Sequence, residues 1–80
     1  MHIVWDEPKR QTNLDKHGMD FADLDLEFFA SAIIVPAKSG RLAAIGRLAG
    51  VTTVVFVALG TEALSIISMR PASLKERKLL

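Results

Sequence analysis

The chain has 80 residues, half of them apolar, a formal net charge of +1 and no cysteine. That is enough for one domain over residues 1–80 and too little for two, and it excludes disulfides and thiolate metal sites. The charge is unevenly placed: residues 1–35 hold three basic and seven acidic side chains, residues 36–80 seven basic and two acidic, so a polyanion would meet the second half unless both sets are plain solvated faces.

In chain order, Ile3-Val4-Trp5 is short and β-favouring and suits an edge strand. Asp6 is a good N-cap and Pro8 fits a first helical turn. The helix to His17 has Leu14 as its one strongly apolar residue and is expected to be largely exposed. Lys16 and His17 complement the dipole in its last turn, and Gly18 suits the left-handed stop. A second helix is expected from Asp20 to about Phe29 or Ala30. Met19 and Leu24 stand at hydrophobic-staple spacing, and Phe21, Leu24 and Phe28 form one apolar stripe. Asp23 and Glu27 make an acidic edge.

The period then changes. Ala32–Val35 is an apolar run stopped by Pro36, and Lys38-Ser39-Gly40 reads as a turn. Leu42–Arg47 follows, then Leu48-Ala49-Gly50. Val51–Leu59, rich in Val and Thr, is the strongest strand. Gly60-Thr61-Glu62 turns the chain into Leu64–Met69, and Pro71 ends that strand. Such tight spacing requires antiparallel neighbours. Near-continuous apolarity in the last two strands implies burial on both faces, or on one face and under a partner. Ser73 and Glu76 match a capping box opening a short C-terminal helix. The expected fold is α+β: two N-terminal helices packed on a four-stranded antiparallel sheet, with a short C-terminal helix.

No basic flank and long apolar region opens the chain, and Val51–Ile67 is too short and too polar to span a bilayer, so a cytosolic protein without membrane contact is expected. A domain of this size buries only about 60% of its unfolded surface, which favours a partner or a homo-oligomer.

Several strings taken together resemble a known family. Trp5-Asp6, Pro8-Lys9, Asn13-Leu14, Lys16-His17-Gly18, Phe21 and Phe28-Phe29 are followed by Ile45-Gly46-Arg47, Val54-Val55, Ile66-Ile67-Ser68-Met69-Arg70, Ala72 and Glu76-Arg77. In order and over nearly the whole chain, these resemble the BrnT toxins of BrnT/BrnA type II toxin–antitoxin modules. The W-D-x-P-K-x-x-x-N-x-x-K-H-G string is the specific part. The resemblance implies a RelE-like fold, RNA cleavage that blocks translation, and a BrnA-like antitoxin that neutralises the toxin. Against the family pattern, the polar segment before the second sheet strand is short, Pro36-Ala37-Lys38-Ser39-Gly40-Arg41. A catalytically impaired binding module of the same fold, or a domain that self-associates through its apolar sheet, are therefore the alternatives.

Cleavage by 2′-OH attack needs a base, cationic stabilisation of the phosphoryl group and an acid. The resemblance implies a mostly Arg/Lys set on the sheet face, without metal or other cofactor. Arg47 and Arg70 each end an expected strand and offer the planar fork that suits phosphate; the alternative is that they snorkel to solvent. Lys38 and Arg41 flank the short loop and could follow an RNA backbone, or belong to a solvated turn. His17 could move a proton near neutrality or simply end its helix. Arg77 suits a phosphate contact or plain helix surface, Glu76 is explained by the capping box, and Trp5 belongs more naturally to a core than to a base stack. No phosphate-cradling glycine loop, metal-ligand spacing or nucleophile elbow is present.

Overall fold

The computed structural model describes all 80 residues. Five strands, β1 (His2–Trp5), β2 (Ile33–Pro36), β3 (Leu42–Arg47), β4 (Val51–Leu59) and β5 (Ala63–Pro71), form one sheet in the order β1-β5-β4-β3-β2. From β2 to β5 the sheet is an antiparallel meander. β1 joins β5 in parallel, with His2 opposite Ala63 and Trp5 opposite Ile66. The expected four-stranded antiparallel sheet is thus corrected to a five-stranded mixed one. Local spacing reveals hairpin neighbours, whereas the partner of β1 lies across nearly the whole chain, so no turn signal could announce it.

Three helices accompany the sheet: α1 (Glu7–His17), α2 (Leu26–Ser31) and α3 (Leu74–Arg77). The helix expected from Asp20 is broken in two. The Asp20 side chain accepts from the Ala22 N–H and caps a single 3₁₀ turn, Phe21–Asp23, and Asp25 accepts from the Phe28 N–H to open α2. Side-chain caps this close together compete with a continuous helix. The apolar stripe survives the break: Phe21, Leu24 and Phe28 are all buried.

They close over one face of the sheet, where Ala44, Val54, Phe56, Ile66 and Met69 complete the core. Ala44, Val54 and Met69 form one cross-strand row. Ile66 and Met69 are three residues apart yet share this face because the β4–β5 register shifts at Val55/Phe56, leaving Ile67 unpaired as a bulge. Gly46 lies under α2, where a Cβ would stand 3.0 Å from Phe28 Cε1 and 3.2 Å from the Ala32 Cβ. Trp5 packs edge-on against Phe21 and donates its indole N–H to Glu7.

α1 is fastened to the free edge of β5, beyond the residues that β1 covers. Asn13, 5% exposed, accepts the Met69 N–H at 3.0 Å and donates to the Met19 carbonyl at 3.1 Å. One amide thereby satisfies a buried edge-strand donor and a part-buried loop acceptor. On the outer side of α1, Arg10 bridges Glu7 and makes a two-point contact with Asp20. Gly18 ends the helix in the left-handed conformation, its N–H on the Leu14 carbonyl.

Candidate functional site

By strand alternation the residues between the core positions face the other way. Ile45, Thr53 and Arg70 form one row of this second face, and Ala43, Val55 and Ser68 the next. On this face Arg70, the next-to-last residue of β5, lines a groove with Glu76 of α3 and with Lys38 and Arg41 of the connection between β2 and β3.

Arg70 and Glu76 make a bidentate pair, Nη1 to Oε1 at 2.7 Å and Nη2 to Oε2 at 2.9 Å. Glu76 also accepts the Ser73 N–H, and Ser73 Oγ accepts the Glu76 N–H, so the expected capping box is present and fixes the carboxylate. Arg70 is the chief reason the Glu76 carboxyl is held down at about 2; the same contact raises Arg70. The buried Thr53 hydroxyl stands close enough to favour the ionised carboxylate without making a well-formed hydrogen bond. A carboxylate so firmly ionised is a poor proton acceptor at neutral pH. Its chemical effect is to orient the guanidinium. Glu76 occupies the Nη1/Nη2 edge, and Nη1 also leans on the Pro71 carbonyl at 3.5 Å. The Nε/Nη2 edge keeps no protein partner and can donate twice to one phosphate.

Two open grooves meet at Arg70. One, of about 380 Å³, runs over the sheet face between Lys38, Arg41, Val55 and Glu76. The other, of about 480 Å³, lies between α1 and β5 and is lined by Lys9, Thr12, Lys16, His17 and Ser68. Of the sequence candidates, the structure therefore gathers Lys38 and Arg41 on one side of Arg70 and His17 on the other. Arg47 lines neither groove. It is exposed at the end of β3, in a separate depression with Asp25 and Glu27 and without an ion pair. Arg77 is exposed, lines neither groove, and donates Nε to the Ala72 carbonyl.

Lys9 and Lys16, on a helix too poor in apolar residues to be expected at a site, also line the second groove. The signal was available: Lys9, Thr12, Asn13 and Lys16 follow a helical repeat, so the residue that anchors the helix aims the lysines along one side of it. Glu76 serves Arg70 as well as the capping box, and nothing in the spacing reveals that α3 returns to Arg70. No cluster of His, Cys, Asp and Glu of metal-binding composition occurs, and no helix is long and apolar enough to cross a membrane.

Comparison with known proteins identifies the family and the fold. No curated protein sequence matches. Among solved structures, the chain is similar to the Brucella abortus ribonuclease toxin BrnT, known from a 1.1 Å crystal structure, with 59% identity and a TM-score of 0.86 over 91% of this chain and 97% of that one. The family model described as "Ribonuclease toxin, BrnT, of type II toxin-antitoxin system" matches residues 5–76. With nearly the whole chain matched in sequence and in fold, the protein belongs to the BrnT family of ribonuclease toxins of type II toxin–antitoxin systems.

Proposed function

We propose that the protein is a cytosolic endoribonuclease whose working centre is Arg70, with Lys38 and Arg41 holding the RNA backbone and His17 serving proton transfer. A toxin of a type II system has an antitoxin; the reading here is that a BrnA-like protein supplies it and that RNA cleavage without a metal blocks translation until it binds. The observation that carries the reading is the unpartnered Nε/Nη2 edge of Arg70 at the junction of two cation-lined grooves. A phosphoryl group seated on that edge would have its developing charge stabilised by donors already fixed in place by Glu76, at no cost in reorganisation. His17 and Arg70 line the same groove, so an imidazole is available to accept or return a proton at the scissile ribose. Arg47 stands apart from this centre, and its role there is the more peripheral one.

The test is cleavage of a single-stranded RNA by purified variants, paired with growth after induction. Arg70→Ala is expected to lower the turnover rate by about 10²–10³-fold, and Arg70→Lys, which keeps the charge and loses the fork, to recover little of it. His17→Ala should lower it by at least about 10²-fold, whereas Arg47→Ala should cost less than tenfold. An Arg70→Ala chain that folds, cleaves RNA and arrests growth as wild type does would sink the assignment. A wild-type chain inert on RNA that still binds its antitoxin would point to the impaired binding module instead.

A further inference from the structure

The groove between α1 and β5 holds more than the proton-transfer candidate His17: Lys9, Thr12, Lys16 and Ser68 line it too, and it opens onto Arg70. Its charged lining is Lys9, Lys16 and Arg70, together with His17, and it has no acidic wall. Neither Lys9 nor Lys16 has an ion pair, and the nearest acid in sequence to Lys9, Glu7, is held by Arg10, Gln11 and Trp5 away from the groove. Lys9 and Lys16 are two helical turns apart, about 10 Å along the axis, with Thr12 between them on the same side. The helix cannot drift relative to the strand, because Asn13 is bonded to the Met69 backbone inside the contact. Apart from Pro8, Ile67 is the one apolar residue in the lining. A groove of this kind has nothing to hold the apolar side chains of an amphipathic peptide. It has spaced cations and hydroxyls that suit a sugar–phosphate backbone.

We propose that this groove is the second half of the RNA path: the strand crosses Arg70 from the Lys38/Arg41 side and continues along α1, with Lys9 and Lys16 on two of its phosphates and Thr12 and Ser68 within reach of the backbone between them. The proposal rests on the reading of Arg70 as the RNA-cleaving centre and extends it to a binding site on a different element. Lys9 and Lys16 act in binding, so their loss raises KM and leaves kcat nearly unchanged. The substrate must then extend several nucleotides beyond the scissile bond on the α1 side, which makes the enzyme selective for unpaired stretches over short loops.

The experiment measures binding of a fluorescent 2′-O-methyl oligoribonucleotide of about twelve nucleotides, which lacks the attacking hydroxyl and stays intact, as a function of salt. For a single strand, each neutralised phosphate contributes about 0.7 to the slope of log affinity on log salt. Lys9→Ala/Lys16→Ala should flatten the slope by about 1.4, so that raising salt from about 50 to about 200 mM weakens the wild type about sevenfold more than the variant. Thermal melting at the wild-type temperature establishes that the exposed substitutions leave the fold intact, and Lys9→Gln/Lys16→Gln serves as a second pair. Lys38→Ala/Arg41→Ala separates the two readings. If that pair flattens the slope and the α1 pair does not, the α1 path is wrong and the site at Arg70 stands. If neither pair alters it, both are wrong. An α1 pair that binds RNA as wild type does but no longer binds the antitoxin would overturn the proposal in favour of a protein surface.

Discussion

The two faces of the sheet are built from the same strands and differ in almost everything else. On the core face, Ala44, Val54 and Met69 lie under Phe21, Leu24 and Phe28, and tight packing sets the energetics. One residue along each strand, Ile45, Thr53 and Arg70 face the other way, and the row ends in a bidentate ion pair between two grooves. The core face tolerates little change of volume. The second face carries the ion pair and both grooves. If Arg70 is the working centre, a single step in register separates stability from function, and each half of that statement can be tested.

The largest effect is expected on the core face. Phe28→Ala should cost about 3–5 kcal/mol, since it empties a space bounded by α2 and Gly46, measured by denaturant unfolding. At the margin between the faces, Asn13→Leu leaves the buried Met69 N–H without a partner, a loss of about 1–3 kcal/mol; hydrogen exchange should show Met69 losing protection first. Gly46→Ala places a methyl against Phe28 and Ala32 and should cost about 1–3 kcal/mol by overpacking. Gly46 is thus a glycine for lack of room, unlike Gly18, whose φ of 67° asks for one.

The smallest stability effect belongs to the second face. Glu76→Gln should cost about 1 kcal/mol, since the pair is partly screened by water, while disturbing the orientation of Arg70 and so lowering cleavage. Its signature is in the pH dependence. Glu76 has a lower pKa folded, about 2, than its ordinary 4.5, so the unfolded chain takes up the proton first as pH falls. The stability it contributes is complete above about 4.5 and is lost as pH drops towards 2. The Gln variant should lose this component and fall less steeply over that window. If instead Glu76→Gln destabilises as much as Phe28→Ala, the contrast between the faces collapses.

What could be read from the sequence follows the range of the interactions. β4 matches its expected bounds from Val51 to Leu59, because its residues favour extended backbone and turn residues bracket it. The Ser73/Glu76 box and the Gly18 stop were legible for the same reason, being settled within four residues. The break between Asp20 and Leu26 was not, since two aspartates that each look like a helix start give no hint that both are used. The parallel β1–β5 pairing and the Asn13–Met69 bond connect residues more than fifty positions apart and leave no local trace. The site divides likewise. Arg70, Lys38 and Arg41 could be named from charge and position, but the Glu76 clamp and the lysines of α1 depend on how α1 and α3 return to the sheet. The β5 bulge hid part of the pattern too, since Ile66 and Met69 break the two-residue alternation that marks a one-sided strand.

The pairing of the first strand with the last has a consequence for how the molecule comes into being. Neither β1 nor α1 has a place to dock until residues 63–69 exist, because their strand partner and the backbone N–H held by Asn13 lie there. Contacts of such sequence separation are slow to form and cannot form piecemeal. A growing chain therefore carries β1 and α1 unanchored until β5 has been made. Arg70 and Glu76 follow the strand residues that anchor β1 and α1, so the ion pair is the later of the two to form.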